Sequence, residues 1–335
     1  MMRINRRFAS RCSVVVALAA SFIAASAVTV GAQEQRSYVF VTHAIAGQPF
    51  WQTVKIGMDD ACALVKAKCQ ILFIQTRGNL DEQLTNLKAA VAQKPNGIAV
   101  SLPNNRLYND AVADARAQGI PVIAFNVDVN DKSVGNQRQA FVGQDLEQAG
   151  YDLAKAMSSK FPNDGPIHLL VGVSAPGQIW AEQRAAGVVR FMEDHKKSMA
   201  ARSITWHKLD STTDLAQATS RVMAYLDANP QTTGYIDMGY WHTGVATTLR
   251  SRGVPPTKIL IGGFDLVPAA MAEMKTGYVQ FQIDQQPYLQ GFMPVMQFHL
   301  MNNFRLAPFD VNTGRAVVQA SEVDAILELS KKGVR

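Results

Sequence analysis

From Ser37 onward the chain alternates short apolar runs with longer segments whose apolar residues recur at helical spacing. That alternation leaves little besides parallel sheets joined by crossover helices. The runs are YVFVTHA, ILFIQT, GIAVSL, PVIAFN and AFVGQD, followed by PIHLLVGV, SITWHKL, GYIDMGY, KILIGGF and VQFQID. Segments such as PFWQTVKIGMDDACALVKA, DEQLTNLKAAVAQ and LEQAGYDLAKAMSSKF lie between them and read as helices. The last long helical pattern, YLQGFMPVMQFHLMNN, contains Pro294, which predicts a kink or offset because proline has no N–H to donate to the preceding turn. The pattern starts afresh midway, so the halves repeat in architecture though not in residue identity. A chain this long exceeds one hydrophobic core, and two doubly wound α/β domains are expected. Facing one another, they would bring the carboxyl ends of both sheets to a shared cleft, where open α/β sheets bind ligands.

The first residues read as a removable leader. Arg3, Arg6, Arg7 and Arg11 precede the apolar run SVVVALAASFIAASAVTV, and Val30-Gly31-Ala32 suits a small-residue cleavage site, giving a signal peptide over 1–32. The alternative is an uncleaved membrane anchor, for which the run is at the short limit. No cysteine follows the run, which argues against a lipid anchor. Loss of the four leader arginines takes the formal charge from +6 to +2, so the basic balance gives no support for nucleic acid. Cys12 leaves with the leader. Cys62 and Cys69 then remain, either as a local disulfide of an exported protein or as two small buried thiols. Two cysteines without neighbouring histidines fall short of a structural metal site.

Several strands end in polar groups. GIPVIAFNVD leaves Asn126 and Asp128 past an oily strand, KILIGGFD ends on Asp265, and GYVQFQIDQQP places Asp284 and Gln285 at another terminus. Together with QPFWQTVKIGMDDA and the R-x-x-G of Arg184 to Gly187, these segments occur in an order and spacing that resembles the ribose- and galactose-type periplasmic solute-binding proteins. Their two-domain core is shared with repressors of the lactose-repressor type. The resemblance covers nearly the whole mature chain. It implies a type I periplasmic binding protein: two parallel-sheet lobes joined by a three-strand hinge, near 37–143 plus 286–314 and 144–285 plus 315–335.

The same resemblance implies the site residues. Phe50 and Trp51 would stack on a sugar ring, with Phe50 alternatively core. His43 and Gln48 would bond hydroxyls, with His43 alternatively bracing its loop. Asn126 and Asp128 would clamp the ligand, although the ribose-type pattern has a charged Asp-Arg pair where this chain has Asn126-Val127, which argues against ribose itself. Arg184 matches the cleft arginine, with Gln178 and Trp180 as neighbours. Asp265 and Gln285 match in context, and Asp284 would cap the following segment. DMGYWHTG offers Tyr240 and Trp241 where the family has Asn-Asp, implying a more aromatic pocket.

The function implied is periplasmic binding of a small sugar or polyol, in a cell of Gram-negative type, and its delivery to an ABC importer in the inner membrane. The alternative is a sensing subunit that presents its ligand to a membrane receptor kinase. The chain has no G-x-S-x-G, P-loop, G-x-G-x-x-G or H-E-x-x-H, so neither an enzyme nor a cofactor is expected. No nucleic-acid partner is expected either, because a leader stands where a repressor has its helix-turn-helix. A monomer suits docking on a permease.

Overall fold

The computed structural model describes residues 35–129, 136–314 and 316–335. The leader and Cys12 lie outside the described residues. The first stretch runs β1 (Ser37–Ile45), α1 (Pro49–Val65), β2 (Lys68–Ile74), α2 (Leu80–Ala92), β3 (Gly97–Val100), α3 (Asn109–Ala117), β4 (Val122–Asn126) and β5 (Ala140–Gly143). The second runs α4 (Leu146–Ser158), β6 (Ile167–Val173), α5 (Ile179–Ser198), β7 (Ile204–Asp210), α6 (Leu215–Ala228), β8 (Gly234–Asp237), α7 (His242–Ser251), β9 (Leu260–Phe264), α8 (Pro268–Lys275) and β10 (Phe281–Asp284). The chain ends with α9 (Pro287–Phe304), β11 (Val311–Asn312), β12 (Ala316–Val318), a single 3-10 turn at Ala320–Glu322, and α10 (Val323–Ser330).

The strands form two six-stranded sheets, ordered β11-β5-β4-β3-β1-β2 and β12-β10-β9-β8-β6-β7. The orders correspond position by position, so β4 of one lobe is the counterpart of β9 of the other. Every pair in the first sheet is parallel. The second sheet departs from the expected pattern at one edge, where β12 runs antiparallel to β10. Helices cover both faces, which is why β4 is oily throughout: Val122, Ile123, Ala124 and Phe125 are all at 0% exposure. Among the described residues, no helix is long and apolar enough to cross a membrane.

Among the described residues, three crossings join the lobes, from β5 to α4, from β10 to α9 and from β11 to β12. Buried glutamines knit them together. Gln290 Nε2 donates to Gln285 O at 3.0 Å and to Thr313 Oγ1 at 3.1 Å, and Gln144 Nε2 donates to Gly314 O at 2.9 Å. α9 runs through Pro294 as one helix.

After each of the first two crossings the helix docks against the helix that follows the first strand of the lobe entered, α4 on α5 after β6 and α9 on α1 after β1. Both crossings are made by glycine pairs. A Cβ on Gly57 would overlap Tyr288 O and one on Gly291 would overlap Val54 O; a Cβ on Gly187 would overlap Glu147 O and one on Gly150 would overlap Arg184 O. The overlapped carbonyl lies three residues before the opposing glycine in every case. The repeat extends to the sequence, since Gly47-Gln48 leads to Gly57 with the spacing by which Gly177-Gln178 leads to Gly187. The halves therefore do repeat locally in residue identity, against the reading from sequence.

Cys62, near the end of α1, is joined by a disulfide to Cys69 in β2, with Cα atoms 6.2 Å apart. The bridge lies at the end of α1 away from Phe50 and Trp51.

Alanine in an open helical site stabilises by up to about 1 kcal/mol over glycine. Gly187→Ala is expected to do the opposite, because α4 must move to admit the methyl group, with a loss of about 1–3 kcal/mol. Urea denaturation of the two chains measures it.

Candidate functional site

Two residues at equivalent strand ends are held in a conformation that side chains seldom adopt. Asn126 closes β4 with φ +63°, and Asp265 follows β9 with φ +73°. Asparagine and aspartate enter the left-handed region at lower cost than other non-glycine residues, which accounts for these residue types at both positions. Both side chains line one cleft between the sheets. The cleft contains about 820 Å³ of non-atom space, its open mouth included, which is the size of a small-molecule site.

Twelve residues read from the sequence come together there: His43, Gln48, Phe50, Trp51, Asn126, Gln178, Trp180, Arg184, Tyr240, Trp241, Asp265 and Gln285. Asp128 does not. The left-handed turn at Asn126 carries the chain off the rim, and Asp128 instead accepts from Arg138 Nε at 3.1 Å and Nη2 at 2.6 Å. Asp284 accepts from the N–H of Gln286 at 2.8 Å, just ahead of α9, whose N-cap residue Gln286 makes no side-chain cap.

The lobes contribute aromatic surface from corresponding turns. Gln48 and Gln178 occupy the N-cap positions of α1 and α5 without bonding the helix N–H groups, and both line the cleft. Phe50 and Trp51 follow one cap and Trp180 the other. Both first-lobe rings also belong to the core: Trp51 meets His43, Phe50 and Phe125 edge to face. In the second lobe Tyr240 stacks on Trp241 at 4.8 Å, and Trp180 lies 6.2 Å from Trp241.

Arg184 and Asp265 are the charges at the cleft's base. Arg184 is 3% exposed; its Nη1 donates to Met238 O at 2.8 Å and its Nη2 to Gln144 Oε1 at 2.9 Å, while Nε has no hydrogen-bond partner among the described residues. The guanidinium lies 4.1 Å from the centroid of the Phe264 ring. Burial lowers its pKa to about 10, opposed by Asp265 and Asp237. Burial raises the Asp265 carboxyl, and Arg184 and a hydrogen bond from Gln285 Nε2 at 2.5 Å counter it. Asp237 lies beneath, at 0% exposure, accepting from Ser174 Oγ at 2.8 Å and the N–H of Trp241 at 2.8 Å.

Most polar groups here are already braced. Asn126 Nδ2 donates to Gln290 Oε1 at 2.9 Å, Trp180 Nε1 donates to Gln178 Oε1 at 2.7 Å, and His43 Nδ1 bonds Ser101 Oγ at 2.9 Å. A rigid site of this kind loses little side-chain entropy when a solute enters.

The sequence reading missed the mouth. Arg77 donates through Nη1 to Thr213 O at 3.0 Å, joining the β2–α2 loop of the first lobe to the β7–α6 loop of the second, and both residues line the cleft. Nearby, Ile179 N donates to Pro103 O at 3.3 Å, also across the lobes. Both loops follow the carboxyl ends of strands, a signal that marks Arg77 and Thr213 once β2 and β7 are placed.

The profile of the family described as "Periplasmic binding protein domain" matches residues 38–302. The chain belongs to that family. Among the proteins similar to this binding protein is the xylose/arabinose-binding protein of Sulfolobus acidocaldarius, 27% identical over 306 residues, spanning 88% of this chain and 73% of the relative. A periplasmic sugar-binding protein of an ABC sugar transporter from Legionella pneumophila is similar in structure, with TM-score 0.75, 27% identity and coverage of 84% of this chain and 100% of that one. A carbohydrate transporter protein from Acidothermus cellulolyticus in complex with myo-inositol gives TM-score 0.74 at 26% identity, covering 90% and 100%.

Burial holds His43 at about 4, below its ordinary 6.5. The unfolded chain therefore binds the extra proton first, so stability from this group is complete above pH 6.5 and is lost as the pH falls towards 4. Melting temperatures of wild type and His43→Asn between pH 7 and 4 test this: the wild type is expected to fall more steeply.

Proposed function

We propose that the chain is an exported, non-catalytic binding protein that takes a small sugar or polyol into the interlobe cleft and delivers it to an ABC permease. The observation that carries this reading is the pairing of Asn126 with Asp265 at equivalent strand ends, beside Arg184 and between aromatic surfaces from both lobes. Aromatic faces suit the C–H faces of a sugar ring, while a carboxylate and a guanidinium suit its hydroxyl edge. The similarity to proteins described as binding xylose or arabinose, or solved with myo-inositol, supports the same ligand class.

On this reading the lobes comprise 37–143 with 286–314 and 144–285 with 315–335, and they close about the three crossings. The leader over residues 1–32 directs the chain to the periplasm and is removed there. The protein acts as a monomer that the permease reads in its closed form.

A thermal-shift series with D-xylose, L-arabinose, D-allose and myo-inositol tests the proposal. A solute at 100 times its Kd adds about 2.7 kcal/mol of stability. At least one of them is expected to raise the wild-type melting temperature, and Asp265→Ala is expected to lose that rise while still folding. A wild type that none of them moves counts against the reading, as does an Asp265→Ala chain that responds fully.

A further inference from the structure

Behind the cleft, on the hinge side, the two lobes are tied by a segment that the solute site does not use. α10 belongs to the second lobe: Val323 and Ile326 are buried with Met271 and Met274 of α8, and Lys275 Nζ pairs with Asp324 Oδ1 at 2.7 Å. The chain then passes against the first lobe before Arg335 returns to the second. Gly333, at φ +72°, passes so close to α1 of the first lobe that a Cβ there would lie 3.0 Å from Ile56 Cδ1. Arg335 follows, and its guanidinium pairs with Asp284 at the end of β10, the start of the second crossing.

Asp284 is 1% exposed, and its other oxygen is already used by Gln286 N. A buried carboxylate without a counter-charge is costly, and removing one partner of such a pair is more damaging than replacing both. Asp284 directly precedes Gln285, whose amide holds Asp265 in the cleft. The segment also walls a second cavity, lined in part by Phe50, Asp265, Asp284 and Arg335, that shares Phe50 and Asp265 with the cleft.

We propose that Lys331–Arg335 is a clasp joining the lobes on the hinge side, and that Arg335 and Asp284 are positioning residues for the solute site, acting through Gln285 and Asp265. The proposal rests on the cleft being that site. The contact with Ile56 bridges lobes that rotate relative to one another, so the clasp differs in strength between open and closed arrangements and shifts their populations. It is made together with the mouth contacts of Arg77 and Ile179, and on this proposal it belongs to the closed arrangement.

The test uses the full chain with Arg335→Ala and, independently, Ile56→Asp, which strikes the clasp's other end. D-xylose is the probe, and apo small-angle scattering is the second readout. Both variants are expected to raise the Kd by about 5-fold or more, the lower end of ordinary coupling between sites, through faster dissociation. They are expected to enlarge the apo radius of gyration, and Arg335→Lys is expected to restore both quantities in large part. Wild-type affinity and wild-type radius in Arg335→Ala overturn the proposal. Should the wild type bind no D-xylose, the apo radii of wild type and variants alone decide the clasp, while the missing binding bears on the cleft reading.

Discussion

Where α4 crosses α5 and α9 crosses α1, backbone meets backbone with no side chain between them, and the rest of the molecule is arranged around those two contacts. Each brings the helix that follows a crossing against the helix after the first strand of the lobe entered. The α4–α5 contact also bears directly on the site, because the carbonyl over Gly150 is that of Arg184. The guanidinium sits at the base of the cleft because its backbone is held against α4.

The equivalence of the lobes makes their differences informative. Val54 stands where the second lobe has Arg184, and it is wholly buried. Asn126 stands where the second lobe has Asp265. The first lobe thus presents a neutral amide, braced by Gln290 from α9, and the second a carboxylate compensated by arginine and by Gln285. Two carboxylates lining one cleft would each disfavour ionisation of the other; the amide at Asn126 avoids that conflict and keeps a hydrogen-bonding oxygen in place.

Much of this was legible in the sequence, because buried parallel strands are nearly continuous apolar runs and their polar ends stand out against them. PVIAFN and KILIGGF could be placed as strands, and with them Asn126 and Asp265. Asp128 was misjudged for a local reason: strand-end logic assumes that the chain continues outward, whereas a left-handed residue at 126 turns it away towards Arg138. β11 and β12 were too short to produce a pattern, and β12 owes its place to pairing with β10. Arg77 was passed over because one arginine in a loop has no signature until the opposite loop is in position. The repeat of glycines around the two helix crossings was in plain view, yet it becomes meaningful only when backbone contact explains why no larger residue fits.

Both buried charges of the cleft belong to one lobe, and this gives the encounter with a solute a direction. A polar molecule arriving at an open cleft finds its strongest electrostatic partners, Arg184 and Asp265, on the second lobe, together with Trp180, Tyr240 and Trp241. The first lobe offers neutral amides, an uncharged histidine and the edges of Phe50 and Trp51 inside the cleft, with Arg77 at the mouth. On the proposed function, capture and enclosure become separate tasks divided between the lobes: the buried charges of the second lobe favour first contact with a polar solute, and the first lobe closes over it.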